Sequence, residues 1–159
     1  MAVAAGLALV AAAAIVAIVH SSRGGTSSAA PRDDVGTFMV TVVSEVVHND
    51  YTQAWLTLNP EHQRVAPRSE YVKCERLNPI KLALNKVEVL SVANRWFAMP
   101  GHDQPVHGKE LRLRITLADP QTEARARSTH VFHAVAVGSH WTWVLPANAY
   151  ELYQSDSCS

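Results

Sequence analysis

Glu110-Leu-Arg-Leu-Arg-Ile-Thr-Leu117 alternates without a break, with Leu111, Leu113, Ile115 and Leu117 set against Glu110, Arg112, Arg114 and Thr116. Successive side chains of a strand point to opposite faces, so this period of two predicts a half-buried β-strand. The same period recurs on both sides. Lys86 to Phe97 is rich in β-formers, and strict alternation puts Val87, Val89 and Ser91 on one face and Leu90, Val92 and Trp96 on the other. Pro100-Gly101-His102-Asp103 and Asp119-Pro120 interrupt the runs. Ala124 to Val137 predicts a long strand, Gly138-Ser139 a tight hairpin turn, and Trp141 to Leu145 a last strand.

Upstream the period changes to that of a helix. Asp33 and Asp34 stand where an N-cap is wanted, followed by Val35, Phe38, Met39, Val42, Val46 and Val47 at helical spacing, as far as His48. Asn49 or Asp50 caps a second short helix with Tyr51, Ala54, Trp55 and Leu58, which Asn59-Pro60 ends. A further turn or two runs from Glu61 to Val65, and Pro67 introduces Arg68 to Leu77, with Tyr71 and Cys74 on one side. Helices first and a four-stranded antiparallel meander after them predict an α+β fold.

The chain of 159 residues has 14 Lys and Arg against 14 Asp and Glu. Arg23 is the sole charged residue among the first 30, so the remainder carries 13 basic and 14 acidic groups, a net charge of −1. Nucleic-acid binding by bulk electrostatics needs a basic excess, and none is present. With 7 Gly, 8 Pro and 2 Cys, collagenous and disulfide-dense scaffolds are excluded too.

Residues 2–19 form an uninterrupted run of Ala, Val, Leu, Ile and Gly. As a helix this run is about 27 Å long, near the ~30 Å apolar core of a bilayer. The run predicts a single transmembrane anchor or a signal segment over residues 1–20. Its length favours a retained anchor, and Ser28-Ala29-Ala30 offers a cleavage site that Pro31 disfavours. Residues 21–32, rich in Ser, Gly and Ala, read as a flexible tether, and residues 33–159 as one folded domain. Arg23 and Arg32 after the run favour a cytoplasmic domain by positive-inside counting. Cys74 and Cys158, the only cysteines, point the other way: far apart in sequence, they suit one disulfide in an oxidising compartment, with two unrelated thiols as the alternative. The expected location is the cell membrane with the domain extracytoplasmic, or secretion after cleavage.

Three stretches carry a family resemblance: Tyr51-Thr-Gln-Ala-Trp55-Leu, Tyr71-Val-Lys-Cys74, and Gly138-Ser-His-Trp141-Thr-Trp143-Val-Leu-Pro146, together with the terminal Cys158. Over residues 33–158 the chain resembles the nuclear transport factor 2-like (cystatin-like cone) superfamily, most of all its small exported or membrane-anchored actinobacterial members. The resemblance implies N-terminal helices packed on a curved four-stranded sheet, the cone. It does not select a function, because the superfamily holds isomerases, dehydratases and non-catalytic binding or dimerisation domains alike. No position here matches one of its catalytic motifs.

Among the candidate residues, His130 and His133 are three apart on a strand and point to opposite faces. His133, sharing a face with Val131, Val135 and Val137, is the candidate general base of a cone pocket. Tyr51, Trp55, Trp141 and Trp143 are the candidate lining of that pocket. Arg112, Arg114, Arg125 and Arg127 form a candidate basic patch, with Glu110 and Glu123 near enough in sequence to pair with some of them. His102 and His107 share a loop with Asp103, but no zinc spacing and no Gly-rich phosphate loop occurs, so neither metal nor cofactor is expected. The sequence thus predicts a membrane-tethered domain with a non-catalytic protein- or ligand-interaction role at the cell envelope, its partner a protein or a second copy through the sheet face. The alternative is a small-molecule isomerase- or dehydratase-like enzyme using His133.

Overall fold

The computed structural model of the chain describes residues 34–155. The expected anchor, the tether and Cys158 lie outside them; among the described residues no helix is long and apolar enough to cross a membrane. Asp34 caps α1 (Val35–Val47), its carboxylate accepting the Thr37 N–H at 2.8 Å. Val35, Met39, Val42, Val43 and Val47 form the buried stripe of this helix. Asn49 takes a left-handed φ of 60° and turns the chain into α2 (Tyr51–Leu56). Its amide behaves as a piece of backbone, donating to the Ile80 carbonyl at 3.1 Å and accepting the Ile80 N–H at 3.0 Å. Asn59 then caps α3 (Pro60–Val65), with Pro60 in the first turn where no N–H is needed, and α4 (Arg68–Leu77) follows Pro67.

The strands β1 (Ala83–Phe97), β2 (Val106–Ala118), β3 (Arg125–Val137) and β4 (His140–Trp143) pair antiparallel in chain order, an open four-stranded meander. The architecture is α+β. β2 and β3 supply Leu111, Leu113 and Ala134, all fully buried, to a core shared with Met39 and Tyr71 from the helices and Leu58 from the α2–α3 connection. Each large aliphatic side chain so buried contributes roughly 1.5–3 kcal/mol of transfer free energy. The turn at Gly138, with φ +60°, closes the two-residue hairpin between Val137 and His140.

Several elements depart from the sequence pattern. β1 starts at Ala83 rather than Lys86, and β2 starts at Val106 rather than Glu110, so His107 is a strand residue and not a loop residue. β4 stops at Trp143, and a helix that the pattern does not announce, α5 (Ala147–Gln154), follows Pro146. The faces of β1 also change. A register irregularity between Val89 and Ser91 breaks the alternation, so Val87 and Val89 oppose Ile115 and Leu113, while Val92, beyond it, opposes Leu111. All three therefore share the helix side, and Ser91 is turned outward opposite Arg112.

Candidate functional site

The aromatic residues expected to line a cone cavity fill the interior instead of bounding a space. Trp143 is buried, donates its indole N–H to the Ala54 carbonyl at 2.7 Å and meets Tyr71 edge-on with centroids 6.3 Å apart. Trp55, half-buried, donates to the Ala66 carbonyl at 2.8 Å. Tyr51 is buried and donates its hydroxyl to Asn49. The polar end of each ring is thus spent on a backbone or side-chain acceptor of the fold. Trp141 is set apart by its position on an open concavity. It lines a shallow concavity of about 350 Å³ with Phe38, Leu56, Thr57, His140 and Thr142. The four aromatics do not converge on one cavity.

His133 lies on the opposite side of the sheet. Its neighbours Phe132 and Ala134 turn to the core, so His133 projects from the face away from the helices, opposite Glu110 across the β2–β3 ladder. It stacks on Phe97, with ring centroids 4.2 Å apart and planes 23° from parallel, and its Nε2 lies 3.8 Å from Glu110 Oε2. Burial holds its pKa below the ordinary histidine value, against the opposing pull of the Glu110 carboxylate. Strand alternation carries the His133 imidazole away from the helix-side interior, the expected place of a cone pocket served by it.

The same outward face carries Arg112, Arg114 and Arg127, opposite Val131, Thr129 and Thr116 in the ladder. The basic residues alternate with β-branched ones across the β2–β3 pair rather than facing one another. Arg114 lies 3.9 Å from Glu88 of β1, whereas Glu110, the neighbour that sequence proximity suggested for the arginines, turns to His133. Glu123 sits in the β2–β3 turn at φ 57°. Near the charges, Leu90 and Val131 are 41% and 49% exposed, and Val137, farther along β3 opposite His140, is 42% exposed. His102 pairs with Glu61, whereas His107 packs on Trp96 with centroids 5.2 Å apart, so the two are drawn to different partners. Among the described residues no group of His, Cys, Asp and Glu is arranged to hold a metal ion.

Three polar residues, His62 buried and Glu45 and Glu75 half-buried, had no signal in the sequence. His62 is fully buried between α3, the β1–β2 turn and the segment after β4, and burial keeps its pKa low. Glu75 of α4 is half-buried, accepts the Tyr153 hydroxyl at 2.8 Å, and has its pKa raised by desolvation. Glu45 has one buried carboxylate oxygen without a hydrogen-bond partner among the described residues, and burial, then Asp50, raise its pKa. It borders a second shallow concavity of about 340 Å³ with Ser44, His48 and Asp50. Each arises from long-range packing, which no local motif records. Cys74 is buried on α4 directly before Glu75, and no free cysteine occurs among the described residues.

Compared with known proteins, the chain matches no family model and no curated protein.

Proposed function

We propose that this chain is a membrane-tethered, extracytoplasmic domain of the nuclear transport factor 2-like cone type, with a non-catalytic role in protein or ligand interaction at the cell envelope. The observation that carries this reading is the contrast between the two sides of the sheet. On the helix side, Trp143, Trp55 and His62 spend their polar atoms on the fold itself. On the outer side, Val131 stands exposed opposite Arg112 and diagonal to Arg114, a mixture of apolar and charged groups suited to a partner surface. The cone curvature, the anchor over residues 2–19 and the Cys74–Cys158 bridge belong to the same proposal.

The bridge is favoured by reach. Tyr153 touches Glu75, the residue after Cys74, and Cys158 follows Tyr153 by five residues. An extended chain covers ~3.3–3.6 Å per residue, ample to return a side chain to α4.

Two measurements on native membranes test the reading. Protease added from outside is expected to digest the domain while the anchor stays in the bilayer, and non-reducing mass spectrometry is expected to find Cys74 and Cys158 in one cross-linked peptide pair. A protected domain with two free thiols sinks the extracytoplasmic assignment. For the interaction role, charge reversal at Arg112 and Arg114 is expected to release partners captured by cross-linking the full chain in its membrane. Unchanged capture removes the outer face from the proposal.

A further inference from the structure

β1 ends the sheet, and no described strand pairs with its second edge. From Ser91 to Phe97 it is regular, with the irregularity at Val89/Ser91 on one side and the Pro100-Gly101 turn on the other. Natural edges are guarded by Lys, Pro or a bulge within the edge. Ser91-Val-Ala-Asn-Arg-Trp-Phe97 has no Lys, no Pro and a single charge, Arg95. Val92 and Trp96, which oppose Leu111 and His107 on the helix side of the ladder, are 42% and 70% exposed.

We propose that this segment pairs antiparallel with the same segment of a second copy, about a twofold axis through Asn94, to make one continuous eight-stranded sheet. Antiparallel pairing of two identical strands requires opposed residues to lie on the same face. Pairing about Asn94 meets that condition along the whole segment: Val92 meets Trp96, Ala93 meets Arg95, and Ser91 meets Phe97. The exposed valine and indole thus cover each other twice, a β-branched–aromatic pair of the kind that stabilises antiparallel ladders.

The neighbouring registers fail for separate reasons. Moving the axis to Arg95 sets two guanidinium groups face to face. Moving it to Ala93 carries the pairing into the Val89/Ser91 irregularity.

Charge supports the same register. Ala93 is followed across the ladder by Glu110 of β2, on the outward face. In the pair, Arg95 of one copy lies beyond the other copy's small Ala93 from that copy's Glu110, two strand spacings or about 10 Å between backbones. The arginine and glutamate side chains together span that gap, once on each side of the axis. The proposal does not depend on the envelope role, since the edge is a different surface from the outer face.

Sedimentation of the full chain in detergent micelles tests it. The wild type is expected to be dimeric at micromolar concentrations, and Trp96→Lys to weaken the dimer by at least about tenfold. Trp96 is mostly exposed, so the variant keeps its fold, as checked by circular dichroism. Arg95→Glu and Glu110→Arg are each expected to weaken association, and the double variant to recover most of it. A wild type that stays monomeric at the highest soluble concentration overturns the proposal, as does a dimer indifferent to Trp96→Lys. A double charge variant no better than the single ones overturns the Asn94 register.

Discussion

The buried imidazole of His62 accepts the Leu145 backbone N–H at Nδ1 and donates from Nε2 to the Pro100 carbonyl, each over 3.0 Å. The amide can only donate and the carbonyl can only accept, so the pair of bonds assigns one neutral tautomer. A single side chain thereby ties α3 to the β1–β2 turn and to the strand-to-helix passage after β4. Protonation would place a hydrogen on Nδ1, against the Leu145 N–H.

Acid should therefore weaken the fold. Burial depresses the pKa of His62, so the folded state binds fewer protons than the unfolded chain. Stability is complete above about pH 6.5, the unfolded value, and falls as pH drops through it toward the depressed folded value. His130 and His133 are depressed as well and act in the same direction. Urea unfolding is expected to show a lower midpoint at about pH 5.5 than at 7.5. His62→Phe should cost about 2–4 kcal/mol and flatten that difference without abolishing it. An unchanged pH slope in the variant would refute the assignment to His62.

Gly101 occupies the same junction at φ +84°, and a Cβ there would run into the Tyr150 hydroxyl and ring. Two costs are stacked: left-handed backbone for a residue with a side chain, and displacement of a ring that packs on His62 with centroids 5.0 Å apart. Gly101→Ala is expected to destabilise by roughly 2–3 kcal/mol in thermal or chemical unfolding. In a Tyr150→Ala background the collision is gone and only the backbone cost of about 1 kcal/mol should remain. Fully additive effects would mean that ring and glycine do not meet.

Glu75 has the opposite sign to His62. Its raised pKa means that the folded state binds more protons, so its contribution is present below about pH 4.3 and is lost as pH rises through the folded value. The Tyr153 hydroxyl, 2.8 Å away, is the bond that makes the buried carboxylate tolerable. At neutral pH, Tyr153→Phe should cost about 1–3 kcal/mol by stranding the carboxylate. Glu75→Gln should be close to neutral or stabilising at pH 8, and its advantage over the wild type should shrink toward pH 4. Calorimetric melting temperatures across that range provide the check.

The strongest local signals in the chain are those that one element states by itself. The alternation from Glu110 to Leu117 locates β2 because Leu111 and Leu113 are fully buried while Arg112 between them is exposed. Asp34, Asn59-Pro60 and Gly138 mark ends and turns through their own backbone chemistry. Relations between elements leave no such trace. One irregularity at Val89/Ser91 is enough to return Val92 to the face of Val89, contrary to simple alternation. α5 lacks a side-chain cap and buries only Tyr153 through a sequence of weak period, so its existence depends on docking. The placement of His133 against Phe97 and Glu110 requires the ladder register, which the spacing of histidines along the chain does not contain.

Trp143 and Trp141 look equivalent in the sequence, two residues apart on one strand, yet their environments separate them. Trp143 is 7% exposed and its indole N–H reaches the Ala54 carbonyl at 2.7 Å, whereas Trp141 borders an open concavity. Trp143→Ala empties a space beneath Tyr71 and should cost about 3–5 kcal/mol. Trp143→Phe retains part of the ring packing and loses the indole donor. The Ala54 carbonyl still accepts the Thr57 hydroxyl at 3.2 Å, so no acceptor is stranded and the loss should stay near 1–2 kcal/mol. Trp141→Ala leaves solvent, rather than a void, where the indole was, and its cost should be less than half that of Trp143→Ala. Chemical denaturation of the three variants measures the order; equal losses for the two alanine variants would place Trp141 in the core and contradict the open concavity.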